Sequence, residues 1–155
     1  MFRTPVRHVV IVVSDLKASL HFYRDILGWK VVYENIISPE LAEFLNVPGG
    51  EGRNIMLQQR EDIFHGMIEL VAFTKPEPES PPKDGLGVRG LRMLSFLVND
   101  LDHVYQVFTE EGVEVYSPPD ISDLGDYTVK VCIVKDPDDV LLEIIEFLDS
   151  KDPGS

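Results

Sequence analysis

The chain is poor in the features that would assign it to a nucleic acid, a membrane or an oxidising compartment. Among its 155 residues are one cysteine and one tryptophan, with only 14 Lys and Arg against 27 Asp and Glu. The resulting net charge of −13 argues against a nucleic-acid role, because phosphate binding needs clustered Lys and Arg. Much of the acidity reads as solvated surface, and it would also suit a cationic ligand. The lone Cys132 rules out an intrachain disulfide. Its setting in the apolar run 129–134 predicts a buried structural thiol rather than a reactive one. No apolar run is long enough to span a bilayer, and residues 1–6 lack the apolar core and cleavage site of a signal peptide. These absences predict a cytoplasmic protein with no nucleic-acid or membrane partner.

What is present is a repeat. With 44% apolar residues the chain can bury a core, and its length suits one domain or two small modules. Residues 6–33 and 90–116 follow the same order. An apolar strand meets an acidic turn (Ser14-Asp15-Leu16, Asn99-Asp100-Leu101), then a short amphipathic helix, a glycine (Gly28, Gly112) and a second apolar strand. Each copy closes on a strand that sets a glutamate among aliphatics, Glu69 in 67–71 and Glu143 in 141–145. Such repeats mark pseudo-symmetric halves, and twinned carboxylates in apolar strands suggest a polar site between them.

The first strand, 6–13, reads as buried on both faces. Asp15 is placed to cap the helix that follows, whose apolar stripe is Leu16, Leu20, Tyr23 and Leu27. Ser38-Pro39-Glu40 starts a short insert helix with Leu41, Phe44 and Leu45 as its apolar side. Strands at 54–59 and 66–73 follow, joined by a turn at 60–65. The Pro-, Gly- and charge-rich stretch 75–90 reads as a linker. The second half repeats the order with strands at 91–98, 114–116, 127–134 and 140–147, and a helix striped by Leu101, Val104, Tyr105 and Phe108. Asp136-Pro137-Asp138-Asp139 makes a turn, and the polar tail from 149 frays. The expected organisation is one domain of two modules: 6–75 with a helical insert at 38–47, a linker at 76–90, and 91–148.

Four segments then carry a family resemblance: HVVIVVSDLKASLHFYRDILGWKV (8–31), GMIELVAF (66–73), NDLDHVYQVFTEEGVEV (99–115) and KDPDDVLLEIIEF (135–147). With these the chain resembles the vicinal oxygen chelate superfamily, which includes glyoxalase I, methylmalonyl-CoA epimerase, extradiol dioxygenases, and fosfomycin- and bleomycin-resistance proteins. The resemblance implies an α+β fold, with tandem βαβββ modules forming curved mixed sheets around a shared cavity. It also implies metal ligands on the first and last strands of each half. His8 takes the first place, seven residues before Asp15, and Glu69 and Glu143 take the places on the closing strands. Met93, seven residues before Asp100, stands where the family commonly has histidine.

One imidazole and two carboxylates suit Ni, Mn, Fe(II) or Co and can serve Zn, with open positions left for water or substrate. A neutral thioether at Met93 adds little. Strand parity sets Glu69 with Met67 and Val71, and Glu143 with Leu141 and Ile145; an inward-facing carboxylate needs a metal or cationic partner. His21, His65 and His103 read as surface residues and Glu146 as solvated. Arg53, Gln58, Tyr127 and Lys130 have no fixed facing. The resemblance implies a metal-dependent lyase or isomerase of the glyoxalase or epimerase type, acting through a metal-stabilised enolate, with Glu69 or Glu143 shuttling the proton. The alternative is a metal-free protein that sequesters a ligand, as bleomycin-resistance proteins do. A small-molecule ligand and a homodimer are implied by the same resemblance.

Overall fold

Two four-stranded mixed sheets carry the fold, in a computed structural model that describes residues 5–60, 65–80, 85–87 and 89–149. The tail beyond 149, part of the 60–65 turn and part of the linker therefore lie outside the described residues. The chain divides into two units, Met1–Ser80 and Pro81–Ser155.

In the first unit β1 (His8–Val12) runs into α1 (Leu16–Leu20), which continues as a π-helical segment, His21–Ile26; β2 (Lys30–Ile36), α2 (Pro39–Phe44), β3 (Glu51–Gln58) and β4 (Met67–Lys75) follow. The sheet order is β1-β4-β3-β2, with β1 parallel to β4 and the other pairs antiparallel. The second unit has β5 (Met93–Leu97), α3 (Leu101–Glu110), β6 (Val115–Asp123), β7 (Thr128–Lys135) and β8 (Leu141–Phe147), ordered β5-β8-β7-β6 with the same polarity. The α+β reading holds, and the two units repeat one topology.

The repeat extends to detail. Both helix starts are capped by an aspartate: Asp15 Oδ1 accepts from the Lys17 and Ala18 amides, and Asp100 Oδ1 from the His103 amide, which satisfies donors a helix start leaves free. Gly28 and Gly112 sit at φ +73° and +70°, where a side chain would be strained. Both second strands bulge at the same place, between Val31 and Tyr33 and between Val115 and Ser117. One difference has a simple cause. Thirteen positions separate Asp15 from Gly28 and twelve separate Asp100 from Gly112, and the extra residue is taken up by the wider i→i+5 turn of the π-helical segment. That turn buries Phe22 and Tyr23 together, edge to face at 5.0 Å. The buried side of the helix is thus Ser19, Phe22 and Tyr23, with Leu16, Leu20 and Leu27 only partly covered.

Each sheet has one sealed face. In the first unit Ile11, Ile55, Leu57, Ile68 and Leu70 are buried, with α1 packed on β4. Each such aliphatic side chain contributes about 1.5–3 kcal/mol. On the other face Met56, Met67 and Val71 are buried but the β1 side is open, so β1 alternates instead of burying both faces: Val10 and Val12 are 49% and 46% exposed. α2 starts as expected, with Ser38 Oγ accepting from the Leu41 amide and Pro39 in the first turn. Its Phe44, however, is 85% exposed, and Ala42 is the residue packed inward with Ile37 and Val71. Cys132 is buried, and burial pushes its thiol up to about 11. No helix among the described residues is long and apolar enough to cross a membrane.

Candidate functional site

Sheet register places the carboxylates. In β4, Met67, Glu69 and Val71 share one face because successive strand residues alternate. Glu69 lies beside Val10 on β1 and opposite Met56 on β3, while His8 lies beside Met67. His8 and Glu69 therefore meet across the parallel pair, with Nε2 to Oε2 at 3.2 Å. Glu69 Oε1 accepts a 2.6 Å hydrogen bond from Asn54 Nδ2. Asn54 is 6% exposed, and its Oδ1 is buried with no hydrogen-bond partner among the described residues. On the other side, Arg7 Nη1 lies 3.3 Å from His8 Nδ1.

His8, Asn54 and Glu69 form the polar corner of a cavity of about 340 Å³ whose other walls are apolar, among them Val10, Val12, Ile37, Leu41, Val71 and Phe73. A small pocket that is mostly apolar with a few convergent polar groups is the usual form of a small-molecule site. A second cavity of about 440 Å³ lies along the same unit, lined by Arg7, Val32, Tyr33, Met56, Gln58 and Met67.

The second unit repeats the register with different side chains. Met93 lies beside Leu141 as His8 lies beside Met67, and Ser95 lies beside Glu143 as Val10 lies beside Glu69. The seven-residue count that put Met93 in His8's place thus agrees with the register. Ser95 Oγ donates to Glu143 Oε2. Val131 on β7 takes the position of Asn54, since each faces the residue two beyond the glutamate. Within either unit, and among the described residues, no cluster of three His, Cys, Asp or Glu side chains forms.

The other residues fall out as follows. His21, His65 and His103 are exposed. Gln58 is buried, lines the larger cavity and donates to the Arg60 carbonyl. Arg53 pairs with Glu34 and Lys130 with Asp102, while Tyr127 packs edge to face on Phe147 at 5.6 Å. Glu146 is not solvated: its Oε2 accepts from the Leu101 amide at 2.9 Å and adds a second cap to α3. Sequence reasoning missed Arg7, Asn54 and Ser95. Ser95 shares strand parity with Met93 and was open to detection; Asn54 reaches Glu69 only through the β3–β4 register, which no local pattern reveals.

The donor chemistry suits a divalent ion. An imidazole nitrogen and a carboxylate oxygen each about 2.0–2.2 Å from one ion stand roughly 3.0–3.4 Å apart at bond angles between octahedral and tetrahedral, and His8 and Glu69 are 3.2 Å apart. Ligating carboxylates are themselves usually hydrogen-bonded, as Glu69 is by Asn54.

Residues 6–144 match the model of the glyoxalase/bleomycin resistance protein/dioxygenase superfamily. The chain is 32% identical over 139 residues to the uncharacterized protein YraH of Bacillus subtilis (strain 168), covering 89% of this chain and 94% of that one. Among solved structures, a glyoxalase family protein from Bacillus cereus superposes with a TM-score of 0.79 at 18% identity, covering 96% of this chain and 99% of the other. A glyoxalase family protein from Enterococcus faecalis gives 0.65 at 27% identity, covering 94% and 100%.

Proposed function

Because the chain belongs to the glyoxalase/bleomycin resistance protein/dioxygenase superfamily, we propose that it is a metal-dependent isomerase or lyase acting on a small carbonyl compound with an apolar body. His8, Glu69 and Glu143 are the protein ligands in this reading. The observation that carries it is the His8–Glu69 pair at 3.2 Å, set at the polar corner of an otherwise apolar cavity. A divalent ion bound there supplies Lewis acidity toward a carbonyl oxygen, worth several kcal/mol.

The remaining work falls to the chain's own groups. The aliphatic walls exclude water and hold the apolar part of the substrate, which strengthens polar interactions at the corner. Asn54 holds Glu69 Oε1 and so aims Oε2 at the reacting region. One of the two carboxylates, Glu69 or Glu143, takes a proton from the carbon next to the carbonyl and returns it. Among the described residues no Lys or Arg lines the 340 Å³ cavity, so they offer no counter-charge there to a phosphate or a carboxylate tail.

Metal-free ligand binding is the second reading. Met93 in the register place of His8 favours it. Metal content of the purified protein beside Glu69→Gln and Glu143→Gln separates the two. Near-stoichiometric metal in the wild type, lost in either variant, supports the enzyme reading. A protein that stays metal-free after exposure to Ni, Mn and Zn, and whose Gln variants keep ligand affinity, sinks it.

A further inference from the structure

The hydrogen bonds around His8 run in one direction. A guanidinium has five N–H donors and no acceptor, so where Arg7 Nη1 meets His8 Nδ1 at 3.3 Å the imidazole nitrogen accepts. In a neutral ring the proton then sits on Nε2, which faces Glu69 Oε2 at 3.2 Å and donates to it. Glu69 takes its other hydrogen bond from Asn54. Arg7 donates to His8, His8 to Glu69, and Asn54 closes the line from the far side. The backbone of Arg7 is itself fixed, because its carbonyl accepts from the Met67 amide at 3.0 Å.

A metal ligand needs the opposite arrangement. Coordination through Nε2 requires that nitrogen's lone pair, so the ring proton must stand on Nδ1. Metal-bound histidines ordinarily donate that second N–H to a carboxylate, carbonyl or water. Here Nδ1 looks onto a group that cannot accept.

We infer that Arg7 is a positioning residue that sets the tautomer of His8 and holds its Nε2 lone pair away from a metal ion until the guanidinium moves off. The inference rests on the metal reading above and assigns it a brake that the His8, Glu69 and Glu143 triad does not contain. It concerns where one proton sits on the ring, with no change in net protonation. Swinging the guanidinium away from Nδ1, toward the Tyr33 and Gln58 side of the larger cavity that Arg7 also lines, releases the ring.

The test uses the full chain as wild type, Arg7→Gln, Arg7→Met and His8→Ala. Histidine ¹⁵N shifts are recorded without metal, and Ni(II) is then titrated by calorimetry. Gln and Met both remove the positive charge, but only Gln offers a carbonyl to an Nδ1–H. The expected result is an Nε2–H tautomer for His8 in the wild type. Ni(II) affinity then rises in Arg7→Gln by about the 10–100-fold that outer-shell partners of metal sites control, with a clearly smaller gain in Arg7→Met. Equal gains in Gln and Met reduce Arg7 to a screening charge and overturn the inference, as does an Nδ1–H tautomer in the wild type. Wild-type binding that is lost in His8→Ala but unchanged in both Arg7 variants overturns the inference alone and leaves the metal reading standing. Absence of Ni(II) binding in every protein, Arg7→Gln included, overturns both.

Discussion

The two modules set a glutamate at the same register position of the same strand and surround it differently. Glu69 meets an imidazole and a buried carboxamide, at the edge of a cavity of about 340 Å³. Glu143 meets a serine hydroxyl, with Met93 where the imidazole would stand and Val131 where the carboxamide would stand. The capping aspartates, the left-handed glycines and the bulged second strands are common to both. What the modules share is therefore what folds them; apart from α2 and the π-helical turn of the first module and a second bulge in β6, the difference that bears on chemistry lies in the side chains around one carboxylate. A duplicated scaffold keeps its backbone devices because each copy needs them, while site residues diverge at little cost to stability.

The largest expected effect bears on the shared part. Leu70 and Ile144 lie at equivalent register positions, each buried among aliphatics. Replacement of either by Ala should cost about 2–5 kcal/mol in denaturant unfolding, the usual cost of truncating a fully buried aliphatic. Costs differing by more than about 2 kcal/mol would break the equivalence of the two sheets. The next effect bears on the divergent part. In the metal reading Met93→His restores the ligand type of its partner position and should raise Ni(II) affinity about tenfold or more, since imidazole suits such ions and a thioether does not. An unchanged affinity would show that the Met93 position takes no part in the site.

The sequence carried most of the scaffold, because repeats, caps and turn glycines are local signals, but it ended the strand after the second helix at 116 where β6 runs on through Pro118 and Pro119 to Asp123. Asp15, Asp100, Gly28 and Gly112 announced both helices, and parity alone put Glu69 with Met67 and Val71. It failed where register or a single insertion decides. Phe44 looked like a helix's inner side and is exposed, while Ala42 packs inward, because a helix of 6 residues is too short for periodicity to resolve. β1 looked buried on both faces, since an unbroken aliphatic run does not show that one face lines a cavity. Of the site, His8 and Glu69 were legible. Asn54 was not, because its partner is 15 residues away on a neighbouring strand, and Arg7 was not, because its role depends on a donor direction that only geometry supplies.

Smaller effects come from the helix caps, where the modules are alike but not equal. Asp15 alone satisfies two amides at the start of α1, whereas α3 has Asp100 on the His103 amide and Glu146 on the Leu101 amide. Asp15→Ala should cost about 1–2 kcal/mol and Asp100→Ala nearer 0.5–1 kcal/mol. Double substitution of Asp100 and Glu146 should bring the second helix start level with the first. Equal costs for the two single variants would deny Glu146 its capping role.

The smallest effect separates Cys132 from Ile55, which occupy the same position in the two sheets. Burial raises the Cys132 thiol from 9.0 to about 11, since an apolar setting disfavours the thiolate. Below pH 9 the thiol is neutral in folded and unfolded chains alike, and stability does not depend on it. As the pH rises from 9 toward 11 the unfolded chain loses the proton first, so stability falls across that window. Cys132→Val fills nearly the same volume without a titrating group and should cost less than about 1.5 kcal/mol at pH 7 while flattening the alkaline fall. Unfolding curves of both proteins between pH 8 and 11 check this, and an identical alkaline slope in the two would mean that the thiol is wetter than its burial implies. Iodoacetamide should in turn label Cys132 only at the rate of global unfolding; labelling faster than that would place an opening in the second sheet where the first has the closed packing of Ile55.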